Sequence, residues 1–175
     1  MKIPAATRPA GFTLVELLTV VAIIMILAAL TIAALSYFNR KSAEDKCRVQ
    51  VKLIERALEE YKLDNGAFPL NEKSDGTGAS TVLVKSLYTD CVTNKSTIYM
   101  PQFDINSQGG QKWIDKAGKL TDGFGYEFRY RCFDTTKEGS AAMQKNPDFD
   151  LWSVGADGKT DTANPASKSN LDDLW

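Results

Sequence analysis

Apolar side chains fill nearly every position from Phe12 to Phe38, and then thin to one in three or four up to Tyr61. Between Leu17 and Phe38 stand 22 residues with no Asp, Glu, Lys or Arg, roughly 33 Å of α-helix and enough to cross a bilayer. Beyond it Cys47, Val51, Ile54, Leu58 and Tyr61 recur at spacings of 4, 3, 4 and 3, while Glu44, Asp45, Lys52, Glu55, Arg56, Glu59 and Lys62 take other faces. That is one amphipathic stripe. No proline interrupts residues 12–68, so the pattern predicts a single helix to about Asp64, stopped by Asn65-Gly66 and then Phe68-Pro69. The stripe is short, which favours packing on a core over pairing with a second coiled-coil strand.

Downstream the signals weaken. Ser74-Asp75-Gly76-Thr77-Gly78 predicts a loop, residues 81–88 a short helix or strand, and Gly109-Gly110 another turn. Thr121-Asp122-Gly123-Phe124-Gly125-Tyr126 reads as a turn feeding an alternating strand over residues 127–131. A second strand is expected over residues 149–154, after the turn Asn146-Pro147-Asp148. The economical fold is α+β, a long helix packed on a small antiparallel sheet.

Composition narrows the chemistry. Hydrophobic residues make 43% of the chain and charged residues 25%, and a net charge of -1 gives no electrostatic case for a nucleic-acid partner. There is no histidine, which removes Ser-His and Cys-His pairs, histidine zinc sites and an imidazole base. With no Gly-rich phosphate loop and no G-x-S-x-G, nothing calls for an enzyme.

The entry to the apolar run carries the strongest motif. Lys2 and Arg8, with no acid, precede Gly11-Phe12-Thr13-Leu14-Val15-Glu16. A secretory signal has a shorter apolar core and a small-residue cleavage site beyond it; here Ser36-Tyr37-Phe38-Asn39-Arg40 offers none. Glu16 stands where a carboxylate costs on the order of 2.5 kcal/mol or more near the bilayer centre, and less toward the interface. A signal anchor with Glu16 among the headgroups is the plain alternative. The basic leader, Gly, Phe-Thr-Leu-x-Glu and long helix resemble the prepilin signature of type IV pilins and secretion pseudopilins. That resemblance implies cleavage between Gly11 and Phe12 by a prepilin peptidase and methylation of Phe12. It also implies that Glu16 meets the N-terminal amine of a neighbouring subunit during filament assembly. The exit Asp64-Asn65-Gly66-x-Phe68-Pro69 is pilin-like too, whereas Ala33 stands where such helices usually carry proline and Met25 where major pseudopilins often carry glycine.

The end of the sequence points the same way. Asp150-Leu151-Trp152-Ser153-Val154-Gly155-Ala156-Asp157-Gly158 leads through a polar loop to Leu171-Asp172-Asp173-Leu174-Trp175. This resembles the tail of the type II secretion major pseudopilin, and implies calcium held by Asp157, Asp172 and Asp173 with the Val154 carbonyl, Asp161 being a further candidate. Three carboxylates and loop carbonyls suit calcium's need for six to eight hard oxygens. The spacing is no EF-hand, so as a bare pattern a turn aspartate and a solvated acidic tail explain it better than a metal site does, and calcium rests on the resemblance. In a periplasmic setting three cysteines allow one bridge, and Cys91 with Cys132 is the better pair because Cys47 lies on the helix stripe. No cysteine follows Cys132, unlike the disulfide-closed loop of type IV pilins.

The expected organisation is a leader over residues 1–11, a membrane-spanning and filament-core helix over 12–38, and a periplasmic globular domain over 39–175. Charge counting leaves orientation open, since Arg40, Lys41, Lys46, Arg48 and Lys52 outnumber Lys2 and Arg8; the resemblance implies a single-pass protein of the bacterial inner membrane. It implies a structural subunit of a type II secretion pseudopilus, a homopolymer working with a prepilin peptidase, minor pseudopilins and an inner-membrane assembly platform. The alternatives are a type IV pilin serving adhesion, motility or DNA uptake, and a membrane-anchored calcium-binding module that never polymerises.

Overall fold

A computed structural model describes residues 11–71, 73, 75–104, 106, 113–115, 117–132, 146–162, 164 and 167–175. The leader residues 1–10, Ser74 and the Gly109-Gly110 turn lie outside the described residues. The chain divides into two compact units, Met1–Asn39 and Arg40–Trp175.

A single α-helix, α1 (Leu14–Asn65), supplies the helical part of the first unit and opens the second. In the first unit it is long and apolar enough to cross a membrane by length and composition. Its large side chains, among them Leu17, Ile23, Ile26, Leu30 and Leu35, are all exposed. At its far end Gly66 takes φ 78° and its N–H donates to the Lys62 carbonyl at 2.7 Å, the left-handed stop that glycine tolerates without a Cβ clash.

Within the second unit four of the five stripe positions are buried, Cys47, Ile54 and Leu58 fully and Val51 nearly so, while Tyr61 is partly buried against the core. Gln50 joins them, its Nε2 donating to the Thr121 carbonyl at 3.2 Å. The opposite face is wet and carries i,i+4 pairs, Arg40 with Glu44 and Arg56 with Glu60, each contributing about 0.3–0.5 kcal/mol.

Residues 81–88 are helical rather than extended. They fall in a continuous run of α2 (Ala79–Val84), one π-helical turn (Lys85–Thr89) and α3 (Asp90–Asn94). Ala79, Ser80, Leu83, Leu87 and Cys91 are its buried positions, a helical spacing that overrides the β-branched character of Thr81, Val82 and Val84.

Two short strands, β1 (Arg129–Arg131) and β2 (Asp150–Trp152), pair antiparallel with Arg129 opposite Trp152 and Arg131 opposite Asp150. The expected second strand is thus cut from residues 149–154 to three. Ser153 instead leaves the sheet to bridge Leu174. The turn at Asp122 is as expected, with Thr121 bridging Glu127 across it. Leu120, Phe128, Tyr130 and Leu151 pack with Ile54, Leu58, Leu83, Leu87 and Phe103 in one core.

The cysteines correct an expectation. Cys47, Cys91 and Cys132 are all buried free thiols, so Cys91 and Cys132 are not bridged. Cys91 Sγ donates to the Ser86 carbonyl at 3.2 Å, within its own helical run, and Cys132 Sγ to the Asp148 carbonyl at 3.4 Å, 16 residues along the chain. Burial pushes the Cys47 and Cys132 thiols up, away from the reactive thiolate.

Candidate functional site

The expected functional residues fall in two places, one in each unit. At the first, Gly11 and Phe12 precede α1, and Phe12 is exposed. A Cβ built on Gly11 meets nothing within 4 Å. Glu16 sits in the first helical turn, and Thr13 holds it in a reciprocal capping box. The Thr13 N–H and hydroxyl donate to Glu16 Oε2 at 2.9 and 2.8 Å, and the Glu16 N–H donates to Thr13 Oγ1 at 3.2 Å. Two helix-end donors and the carboxylate are satisfied together. Thr13 is an addition to the expected set, and the Thr-x-x-Glu spacing is its sequence signal. Glu16 therefore has a partner inside its own chain; a pairing with a Phe12 amine belongs to a chain cleaved after Gly11.

At the second place, the Ser153 N–H donates to the Leu174 carbonyl at 2.8 Å and the Leu174 N–H to the Ser153 carbonyl at 3.0 Å. This bridge lays residues 172–175 along residues 153–160. Gly155, at φ 66°, allows it: a Cβ there would collide with the Asp172 backbone and carboxyl carbon. Val154 is buried. Asp172 Oδ2 accepts the Asp157 N–H at 3.0 Å, and Asp157 Oδ1 accepts the Lys159 N–H at 2.8 Å. Asp173 faces elsewhere, taking the Thr160 hydroxyl at 2.9 and 3.0 Å from its two carboxylate oxygens. Asp161 is tied to Asn170, whose Oδ1 accepts the Asp161 N–H at 2.7 Å.

The fit to calcium is therefore one of neighbourhood and donor type. Asp157, Asp172 and Asp173 are hard-oxygen donors brought to one loop pair, yet each carboxylate is directed at a protein donor. Among the described residues, no three His, Cys, Asp or Glu side chains form a group that could hold a metal ion. Thr160 is the second addition to the expected set; a lone threonine 13 residues from Asp173 carries no sequence signal.

Beside this loop pair lies a buried carboxylate. Asp122 Oδ1 accepts the Phe124 and Tyr126 N–H groups at 2.9 and 2.8 Å, and Oδ2 accepts the Ser153 hydroxyl at 2.5 Å. Burial pushes its carboxyl above the usual range, with Ser153 opposing. The Gly123 N–H donates to Cys47 Sγ at 3.1 Å, which seats this turn on α1.

Comparison with known proteins places these features. Residues 7–32 match the prokaryotic N-terminal methylation motif. A fimbrial protein of Neisseria meningitidis serogroup B is 30% identical over 120 residues, covering 67% of this chain and 70% of that protein. The type II secretion system core protein G of Pseudomonas aeruginosa is 29% identical over 152 residues, 87% of each chain. The fimbrial protein of Neisseria meningitidis serogroup A is 29% identical over 139 residues, 78% of this chain and 79% of that one. No solved structure gives a significant match. With a methylation motif at the head of an uncovered apolar helix and relatives aligned well past it, the chain belongs to the type IV pilin-like family, near the type II secretion system core protein G.

Proposed function

We propose that this protein is a structural, non-enzymatic subunit of a type II secretion pseudopilus, anchored in the bacterial inner membrane with residues 39–175 in the periplasm. It polymerises through the helix of residues 12–38 to drive protein export. The observation that carries this is the apolar helix itself, whose large side chains stay exposed from Leu14 to Phe38. That surface is suited to lipid before assembly and to other copies after it. Glu16 is the one carboxylate there, and a freed Phe12 amine of a neighbouring copy is the counter-charge that assembly supplies. The leader is removed between Gly11 and Phe12 by a prepilin peptidase; minor pseudopilins and an assembly platform complete the partners.

Calcium belongs to the same proposal. Asp157, Asp172 and Asp173 with the Val154 carbonyl would hold it, and the cation would cross-link residues 153–158 to residues 172–173. Loading asks the carboxylates to exchange their present hydrogen bonds for the metal. The likeness to fimbrial proteins favours a second reading, a type IV pilin.

Cross-linking of membranes from cells carrying the secretion genes should give a ladder of oligomers, and mass spectrometry a subunit starting at methylated Phe12. Monomers alone would favour a membrane-anchored module instead. An intact Met1, or a cut beyond Phe38, would end the prepilin reading. Filaments that leave export unchanged when the gene is deleted would favour the pilin.

A further inference from the structure

We propose that residues 172–175 are locked onto residues 153–160 by the protein's own hydrogen-bond donors and an indole stack, so that this segment is ordered without a cation, with Thr160 as the residue that positions Asp173. Four kinds of contact meet there. The paired Ser153 and Leu174 backbone bonds set the register. Asp172 takes the Asp157 N–H. The Trp175 ring stacks on Trp152 with centroids 4.8 Å apart and planes at 19°, a geometry that adds to plain area burial. Thr160 is the joint between them: its oxygen accepts the Trp152 indole N–H at 3.1 Å while its proton goes to the Asp173 carboxylate.

Trp152 is itself closely packed. It is fully buried, the Arg131 guanidinium lies 5.5 Å from its ring centroid, and a Cβ on Gly76 would strike its ring at 2.5 Å. A segment stacked on such a platform inherits its rigidity. Two adjacent carboxylates would ordinarily need a cation to be held close to a third; here Asp172 and Asp173 diverge onto separate donors, which relieves the repulsion without one.

The lock stands apart from the calcium reading, and one experiment separates them. Hydrogen exchange is followed by mass spectrometry on the full chain in detergent, in chelator and in added calcium chloride. In chelator the parent should protect the Leu174 amide, which donates to the Ser153 carbonyl. Thr160→Val, which keeps the shape and removes the hydroxyl, takes a partner from both the Asp173 carboxylate and the Trp152 indole N–H, and should make the Leu174 amide exchange at least about tenfold faster, the factor expected for the loss of the carboxylate bond alone. Thr160→Ser should restore protection, and exchange at Tyr130 in β1 should match the parent in both variants. Protection of the parent only after calcium is added would overturn the lock and leave the calcium reading standing. Protection in chelator that calcium does not change upholds the lock and removes the calcium reading. A Thr160→Val protein indistinguishable from the parent would also overturn it.

Discussion

The buried pair of Arg131 and Asp150 gives the sharpest stability prediction. The two side chains are 1% and 0% exposed. Arg131 Nε and Nη2 both donate to Asp150 Oδ2, at 2.8 and 2.7 Å, while Asp150 Oδ1 accepts the Asn146 N–H at 3.0 Å. Asp150→Ala leaves the guanidinium desolvated between the strands with its main counter-charge gone. Removing one partner of such a pair costs about 3–5 kcal/mol. For a unit of this size each kcal/mol lowers Tm by about 3–5 °C, so circular dichroism of the full chain in detergent should show a drop on the order of 10–20 °C. The double variant Arg131→Met with Asp150→Leu removes both charges and keeps the volume, and should recover at least half of the loss. If Asp150→Ala lowers Tm by less than about 3 °C, or the double variant is no better than the single, the cost does not come from a stranded charge.

Three further outcomes are expected. Glu16→Ala should insert and be processed normally yet yield few filaments, by cross-linking in membranes; a normal yield would refute the assembly role of that carboxylate. Because burial raises the Asp122 carboxyl in the folded chain, its contribution is fully present below the unfolded aspartate pKa of about 3.9 and is lost as pH rises through the higher folded value. Relative to the parent, Asp122→Asn should therefore gain stability as pH rises above about 4, and parallel Tm curves for the two would refute the shift. If calcium is held as proposed, Tm should rise with calcium over chelator, by an amount set by RT ln(1 + [L]/Kd); Asp157→Ala and Asp172→Ala should show no rise, and an unresponsive parent would leave these residues a purely protein-bonded set.

The sequence by itself determined the features written in local period and local chemistry. The uncharged run to Phe38 gave the membrane-length helix. The 4-3-4-3 stripe from Cys47 to Tyr61 marked the buried face, and Asn65-Gly66 marked the stop, because helix periodicity and left-handed glycine act within a few residues. The turn at Asp122 was legible for the same reason. Other features depend on partners far along the chain. Residues 81–88 have β-branched side chains, and only the packing of Leu83 and Leu87 into a distant core makes them helical. The cysteine count cannot say that Cys91 and Cys132 each find a nearer backbone carbonyl. Arg131 meets Asp150 across 19 residues, and Thr160 meets Asp173 across 13. In the last case the acids at Asp157, Asp172 and Asp173 were plain in the sequence, but the direction in which each carboxylate points was not. Tertiary structure fixes that direction, because a carboxylate turns toward whichever donor the folded backbone brings within about 3 Å, and the chain order of the donors does not reveal which will arrive.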